Sequence, residues 1–272
     1  MLGGKRIAVI GVGTLGEALV SGLLKRGELG VGDVTGSVAH DASLKRVGER
    51  LGVRVTLDNR EAVAGSDVVV LAVKPQNMDA VLHDIADVVR PTQLLVSVAA
   101  SVTTAYVEAR LPLPIPVVRA MPNTPCIINA GMTALASGRH AQPEHRRLAE
   151  AIFQCVGETV FLDETLMDAV TALSASGPAY LYVVIESLAE AGVKLGIPRP
   201  VATLLVAQTM LGSARMVQES GAHPALLKDA VTTPAGCTID GLMELEDGKL
   251  RVTLIKAVVK AASRARELVA GP

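Results

Sequence analysis

Two different patterns of apolar and polar residues divide the chain. Up to about residue 163, short apolar runs alternate with segments of helical period. The runs predict strands, and their alternation with helices is typical of a parallel sheet covered on both faces. Strands are predicted at 5–10, 33–36, 54–56, 67–73, 94–98, 115–119, 132–136 and 158–163. Helices are predicted at 14–26, 43–51, 60–65, 78–89, 103–110 and 143–155.

After residue 163 the strand pattern stops and only helices are predicted, at 167–173, 178–195, 200–220, 224–230, 238–246 and 249–269. The segment 201–211 is apolar on nearly every side, so it must be buried. A helical domain of about 110 residues can hardly bury it alone. We therefore predict two domains, 1–163 and 164–272, with a homodimer formed through the second. A compact monomeric bundle is the alternative.

A glycine-rich turn links the first predicted strand to the first predicted helix. It reads Gly11-Val12-Gly13-Thr14-Leu15-Gly16. Gly11 permits the tight turn, Gly13 lets the backbone approach a pyrophosphate, and Gly16 allows the helix to pack on the strand. The free N–H groups at the helix start, including those of Thr14 and Leu15, favour an anion. Since the turn opens a series of βαβ units, we predict a Rossmann-type dinucleotide-binding domain; a purely structural glycine turn is the alternative.

The end of the second strand bears on the choice of dinucleotide. NAD sites usually carry Asp or Glu there to bind the ribose 2′-hydroxyl. Here Asp33 stands at the start of the strand, and Ser37 follows its end. Ser37 with nearby Lys45 and Arg46 could serve a 2′-phosphate instead. The sequence therefore predicts NADP, with NADPH preferred and NADH possible.

Other predicted cofactor residues follow from topology, because ligands of such sheets lie beyond the carboxyl ends of the strands. Ala72, Val73, Lys74 and Pro75 follow the fourth strand. The segment 97–100, which contains Ala99, follows the fifth. Asn123, in the loop after the sixth strand, is a candidate partner for the nicotinamide carboxamide, or else a turn residue bonded to its own backbone.

Composition excludes several classes of function. Aromatic residues make up 2% of the chain and the net charge is −1, which argues against nucleic-acid binding. The longest apolar runs, about eight residues, are too short to cross a membrane. Three scattered cysteines indicate neither a disulfide framework nor a metal site, and they favour a reducing, cytoplasmic location.

The missing general acid points to a particular substrate chemistry. The chain has no Lys between Lys74 and Lys194, and no His in the two loops described next. Ketone reduction usually needs such an acid, whereas an iminium ion is already electrophilic and needs little acid assistance. Its reduction needs the substrate to be oriented towards the hydride donor, a polar group near the nitrogen, and a binding site for any carboxylate.

Two predicted loops of the helical domain could form that binding site. One is 173–180, where either Ser174 or Ser176 could contact substrate. The other is 231–241, which contains Gly236, Cys237 and Thr238 just before a helix. Bare N–H groups at such a helix start suit a carboxylate, and the Thr238 hydroxyl both donates and accepts. Ordinary helix capping is the alternative for each loop.

At these residues the sequence resembles the pyrroline-5-carboxylate reductase family over nearly the whole chain. The similar segments are IGVGTLGEAL, LAVKPQ, VSVAASV, RAMPNTP, LSASGPAY and, most specifically, VTTPAGCTIDGLMELEDGKLR. The resemblance implies reduction of 1-pyrroline-5-carboxylate to L-proline with NADPH or NADH. It also implies interlocked dimers that often assemble into rings of five, a decamer.

The resemblance implies roles for individual residues. Thr238 matches the hydroxyl that bonds the substrate nitrogen, and Gly236 to Thr238 match the carboxylate-binding turn. Ser37 and Asn59 match positions near the adenine ribose and its phosphate. The chain departs from the family signature at Ala235, where a second Gly is usual, so the backbone conformation there decides whether the turn is preserved. It also departs at Thr233 and Ala230, the latter removing a possible cofactor contact from the partner subunit.

Three rival functions are considered, and the sequence argues against only the first of them. A hydroxyacid dehydrogenase of the 6-phosphogluconate type would need a Lys soon after the domain boundary, and the stretch without Lys argues against it. A reductase of another cyclic imino acid would share every motif. A dinucleotide-sensing protein without turnover would share the fold but would not oxidise the cofactor with an imine.

Overall fold

A mostly parallel eight-stranded sheet forms the first part of the molecule in the computed structural model, which describes residues 2–269. The strands are β1 (Ile7–Ile10), β2 (Val34–Ser37), β3 (Arg54–Thr56), β4 (Val68–Leu71), β5 (Leu94–Ser97), β6 (Val117–Pro122), β7 (Gly131–Ser137) and β8 (Gly157–Phe161). Their order in the sheet is β3-β2-β1-β4-β5-β6-β7-β8. β1 to β6 are parallel, β7 runs antiparallel to β6, and β8 is parallel to β7. The predicted Rossmann-type fold is therefore confirmed.

The helices also match the predicted alternation. They are α1 (Thr14–Lys25), α2 (Asp41–Leu51), α3 (Asn59–Ala64), α4 (Met78–Ile85), α5 (Thr104–Glu108), α6 (Pro143–Phe153), α7 (Met167–Val170), α8 (Gly177–Lys194), α9 (Arg199–Ser220), α10 (Pro224–Ala230), α11 (Cys237–Asp247) and α12 (Leu250–Val269). Among the described residues, the strands end at β8, so the change of pattern seen in the sequence is a change of architecture.

Strand β4 shows how the sheet is buried on both faces. All four of its side chains are fully inaccessible. Val68 and Val70 belong to one apolar cluster with α1 and α6, whereas Val69 and Leu71 belong to the other, with α3, α4 and α5. Because side chains alternate across a strand, a continuous apolar run is what a sheet covered by two helical layers requires.

A buried polar network joins β6 to the segment that follows the sheet. Arg119, only 2% exposed, forms an ion pair with Glu164 at 3.5 Å. Glu164 also accepts hydrogen bonds from the Thr104 backbone N–H (2.8 Å) and the Thr104 hydroxyl (2.6 Å). Nearby, Met167 packs into an apolar cluster with Met121. These contacts fix residues 164–167 against the sheet.

The chain divides into two compact units, one comprising residues up to Ser176 with the end of α12 and the other Gly177–Lys260. This division falls later in the chain than the boundary after residue 163 that the sequence suggests.

In the second unit, α8 packs against α9, and a Cβ added to Gly192 would lie 3.0 Å from the Ala202 Cβ. The glycine therefore allows the two helices to approach closely.

The second unit leaves most of its apolar surface uncovered. Its described buried apolar residues are two alanines, Ala189 and Ala202. Many large apolar side chains remain exposed, among them Leu181, Tyr182, Val183, Leu188, Val201, Leu204, Leu205, Leu211 and Met216. A patch of this kind marks an interaction surface. No helix within residues 2–269 is long and apolar enough to cross a membrane.

Candidate active site

The glycine-rich turn at residues 11–16, which we call the glycine cradle, has the geometry of a dinucleotide-binding turn. Gly11 has φ +84°, and a Cβ there would lie 3.2 Å from the Ala72 backbone and closer still to Val73. Gly13 is exposed, and a Cβ there would meet nothing within 4 Å. Gly16 is packed on the strand, since its Cβ would lie 3.4 Å from both the Gly11 carbonyl and Val9.

Helix α1 begins at this turn with its first N–H groups available. Gly13 is the N-cap, and no side chain of the described residues caps the helix. Thr14 is exposed and Leu15 half-buried. An uncapped helix start beside open space fits a pyrophosphate, so the residues present suit the implied cofactor.

A cavity of about 340 Å³ lies beside Gly11; we call it the adenosine groove. The groove is lined by Gly11, Ser37, Val38, Ala39, Leu57, Asn59, Val73, Asn77, Ala80, Val81 and Asp84. The structure thus gathers four of the predicted cofactor residues, Gly11, Ser37, Asn59 and Val73, around one cavity. Asp33 ends a turn just before β2, so no carboxylate stands at the end of that strand.

A chain of hydrogen bonds crosses the groove. The Ser37 hydroxyl donates to the Asn59 amide oxygen (2.7 Å), and the Asn59 amide nitrogen donates to the Asp84 carboxylate (2.9 Å). The Gly11 backbone N–H donates to the Ser37 backbone carbonyl at 3.1 Å and lies 3.4 Å from the Ser37 hydroxyl oxygen, which also accepts from it. Ser37 itself is only 1% exposed, whereas Asn59 and Asp84 are half-buried.

The basic residues near α2 do not lie in the adenosine groove. Arg46 and Arg50 bind the two oxygens of the buried Glu17 carboxylate at 2.8 and 2.7 Å. With Lys25 they line a separate cavity of about 460 Å³ beside the start of α1. Lys45 lies 3.9 Å from Glu49. The expectation that Lys45 and Arg46 accompany Ser37 is therefore not met, because α2 directs its arginines towards α1.

The predicted residues after β4 and β5 differ in accessibility. Ala72 and Val73 are half-buried, and the Ala72 N–H donates to the Ile10 carbonyl at 2.8 Å. Lys74 and Pro75 are exposed in a short turn that leads to α4. Ala99 is only 2% exposed.

Asn123 is used by the fold itself. Its amide oxygen accepts from the Met132 backbone N–H at 2.9 Å, and its amide nitrogen donates to the Ser174 carbonyl at 3.4 Å. It thereby joins the end of β6 to β7 and to the segment after α7. One N–H of the amide remains for a ligand.

The segment around Ser174 and Ser176 is helical, not the predicted loop. Residues 171–175 form a single π-helical turn that continues α7, and the Ser176 N–H donates to the Thr171 carbonyl at 2.9 Å. Such single π turns are frequent at functional sites. The sequence did not reveal this turn. A run of small residues carries little apolar pattern, and the pattern that remains looks the same for a π turn as for a break in the helix.

The turn before α11 is the candidate substrate seat. The Gly236 N–H donates to the Thr233 carbonyl at 3.1 Å, which closes a β-turn with Pro234 and Ala235 at its centre. Ala235 has φ +56°. Proline at the second position and a positive φ at the third are features of a type II turn, whose third residue is normally glycine. The chain keeps the turn despite its alanine.

Helix α11 begins directly after this turn. Its N-cap is Gly236, and no described side chain caps it. Cys237 is exposed and Thr238 half-buried in the first turn of the helix. Free N–H groups and a hydroxyl at one helix start can together hold a carboxylate and a polar nitrogen.

Two of the three cysteines, Cys126 and Cys155, are buried and are poor candidates for a nucleophile. Burial raises the pKa of the Cys126 and Cys155 thiols, which disfavours the reactive thiolate. Among the described residues, no group of three or more His, Cys, Asp or Glu side chains could hold a metal ion.

The fold, the glycine cradle and the adenosine groove define the class of a dinucleotide-dependent oxidoreductase. Two families match the chain: NADP oxidoreductase coenzyme F420-dependent over residues 6–101, and pyrroline-5-carboxylate reductase dimerisation over residues 164–268.

A pyrroline-5-carboxylate reductase from Methanosarcina acetivorans is 40% identical over 97% of this chain and 98% of its own. One from Synechocystis is also 40% identical, with the same coverage of both chains. The chain therefore belongs to the pyrroline-5-carboxylate reductase family, and its helical domain is a dimerisation domain.

Solved structures agree. A pyrroline-5-carboxylate reductase from Coxiella burnetii superimposes with a TM-score of 0.92 at 37% identity, covering 97% of this chain and 98% of that one. The Plasmodium falciparum pyrroline carboxylate reductase, which has NADP bound, superimposes with a TM-score of 0.87 at 29% identity, covering 98% of each chain.

Proposed function

We propose that this chain reduces 1-pyrroline-5-carboxylate to L-proline with NAD(P)H. The observation that carries the proposal is the start of α11, where Gly236, Cys237 and Thr238 combine uncapped N–H groups with a hydroxyl. A cyclic imino acid of this kind carries its carboxylate on the ring carbon next to the nitrogen, and this helix start can hold both groups. The family membership of the whole chain supports the same reaction.

The bound dinucleotide supplies the hydride. The N–H groups near Gly236 hold the substrate carboxylate, and the Thr238 hydroxyl holds the ring nitrogen, so that the imine carbon is presented in one orientation. Ser176 is the further substrate contact we propose, on the π-helical turn. The protonated imine carries the positive charge that hydride neutralises, so no strong general acid is needed. The hydride forms the new C–H bond, and the nitrogen keeps its proton in the amine.

Thirteen residues make up the proposed cofactor site. They are Gly11, Gly13, Thr14, Leu15, Gly16, Ser37, Asn59, Ala72, Val73, Lys74, Pro75, Ala99 and Asn123. The glycine cradle takes the pyrophosphate, and the adenosine groove takes the adenosine. The strand end that lacks an acid supports NADPH as the preferred cofactor, with NADH also used.

The assembly and domain organisation complete the proposal. We place the functional boundary at residues 1–163 and 164–272, with the helical part forming a homodimer. Five such dimers would form a decamer, as the family resemblance implies. We place the enzyme in the cytoplasm, in keeping with three cysteines that form no disulfide.

The direct test is oxidation of NADPH by the purified protein with pyrroline-5-carboxylate, followed by absorbance, with NADH in parallel and proline measured as the product. Rapid loss of NADPH with formation of proline supports the proposal. Turnover only with the six-membered cyclic imino acid would assign the chain to another imine. Cofactor binding without turnover on either imine would favour the sensing alternative.

A further inference from the structure

A carboxylate lines the adenosine groove although no acid follows β2. Asp84, in the last turn of α4, accepts from the Asn59 amide nitrogen, and Asn59 accepts from Ser37. We propose that Asp84 sets how strongly the chain discriminates between NADH and NADPH, by holding the Asn59 amide in one orientation and keeping a negative charge in the groove. The inference rests on dinucleotide binding in the proposed function.

The orientation of the amide follows from the chemistry of its neighbours. A carboxylate can only accept hydrogen bonds, so the Asn59 NH₂ group must face Asp84 and its oxygen must face Ser37. The single hydrogen of the Ser37 hydroxyl is then committed to Asn59. Since the Ser37 hydroxyl oxygen also accepts from the Gly11 N–H, it can offer a ligand only its remaining lone pair, which suits a ribose 2′-hydroxyl that donates. A 2′-phosphate mainly accepts, so it gains nothing from Ser37 in this state.

The negative charge in the adenosine groove also favours a ligand without a 2′-phosphate. Asp84 is the one charged side chain among the described residues that line it. Arg60, which follows Asn59, binds the Asp87 carboxylate through its two terminal guanidinium nitrogens, and its contact with Asp84 is to the backbone carbonyl (3.0 Å). A 2′-phosphate placed in the groove would therefore meet a carboxylate and no side-chain cation, and the repulsion would weaken its binding.

This arrangement would let NADH bind alongside the preferred NADPH, although no acid stands at the end of β2. In most NAD sites the carboxylate at that strand end touches the ribose itself. Here the Asp84 carboxylate, from α4, orients the Asn59 amide, which in turn fixes the hydroxyl of Ser37 at the end of β2. Asp84 is therefore a positioning residue, not a catalytic one.

The test is to measure binding without substrate, with the whole protein. We would titrate the unmodified chain and Asp84→Asn with NADPH and NADH, and with 2′,5′-ADP and ADP as probes of the adenosine half. For each pair we would take the ratio of the dissociation constants with and without the 2′-phosphate (NADPH against NADH, and 2′,5′-ADP against ADP). This ratio cancels the contacts that the two ligands of a pair share. We expect Asp84→Asn to shift the ratio roughly tenfold towards the 2′-phosphorylated ligand, since a neutral amide lets Asn59 turn and removes the charge.

Three further variants serve as controls. Asp84→Ala should shift the ratio in the same direction, and it replaces Asp84→Asn if that variant does not fold. Asp84→Glu, which keeps the charge, should stay nearer the unmodified ratio. Asp79→Asn removes a carboxylate from the same helix that binds Tyr106 and Arg110 instead, so it should leave the ratio unchanged.

Two results would overturn the inference. One is an unchanged ratio in both Asp84→Asn and Asp84→Ala, and the other is an equal shift in Asp79→Asn; either leaves the proposed cofactor intact. If the unmodified chain bound no dinucleotide at all, the proposed cofactor and this inference would fall together.

Discussion

The two units of this chain bury their apolar residues in opposite ways. In the first, β4 is inaccessible along its whole length, and large side chains such as Phe153 and Leu82 are covered within the same chain. In the second, the described buried apolar residues are alanines, whereas Leu204 is 68% and Leu188 48% exposed. The first unit contains its own core, whereas the second leaves its large apolar side chains exposed.

The difference is consistent with the two family matches, one to an NADP oxidoreductase family in the first part and one to a dimerisation family in the second. A self-contained sheet can hold the glycine cradle and adenosine groove rigidly. A helical unit with this much exposed apolar surface is expected to fold with a partner, and the turn before α11 would then be presented by a dimer. Substitutions at four sites test this difference between the two units, beginning with the one expected to have the largest effect.

The apolar surface of α9 should be the most sensitive to a charge. Leu204→Asp should weaken dimerisation by on the order of 100-fold or more, because a carboxylate would be buried without a partner in each subunit. Sedimentation over a range of protein concentrations measures this. Leu113→Asp is the matched control, since Leu113 is 40% exposed on the first unit and should leave the dimer intact. Equal effects of the two changes would show that the exposed helical surface is not the interface.

Loss of the Thr238 hydroxyl should affect the reaction and not the assembly. We expect Thr238→Ala to lower kcat/KM by roughly 10–1000-fold, the range for one positioned polar group. Thr238→Ser keeps a hydroxyl and should retain most of the activity. Steady-state kinetics with pyrroline-5-carboxylate, together with sedimentation of each variant, separates the two effects. Full activity in Thr238→Ala would remove this residue from the mechanism.

Within the first unit, two glycines should separate ligand binding from stability. Gly13 has an extended backbone and open space around its Cβ position, so Gly13→Ala should fold normally yet weaken dinucleotide binding by roughly 10–100-fold, through contact with the pyrophosphate. Gly11→Ala should instead lower the free energy of unfolding by about 1–3 kcal/mol, because of its positive φ and its contact with Val73. Thermal unfolding and fluorescence titration measure both quantities. Unaltered cofactor affinity in Gly13→Ala would contradict the cradle.

The sequence predicted features that depend on neighbours along the chain. The apolar run of β4 and the strand, glycine turn and helix around Gly13 are local patterns, and both were confirmed. The contact between Asn59 and Asp84 was not predictable, because it depends on how α3 and α4 pack. The same is true of the Arg46 ion pair with Glu17, which depends on the direction of α2. The π-helical turn was missed because it does not alter the apolar period enough to be seen.

The turn before α11 should respond least, and in the stabilising direction. Ala235 has φ +56°, a conformation that costs an L-residue about 1–2 kcal/mol and glycine little. Glycine also gains freedom in the unfolded chain, worth about 0.4–1 kcal/mol, so Ala235→Gly should raise the free energy of unfolding by up to about 1 kcal/mol. Ala207→Gly, in the middle of α9, should instead lower it by about 1 kcal/mol. Denaturant unfolding of the dimer at fixed protein concentration measures both. A loss of stability in Ala235→Gly would mean that the alanine methyl makes a favourable contact that outweighs the strain of its backbone.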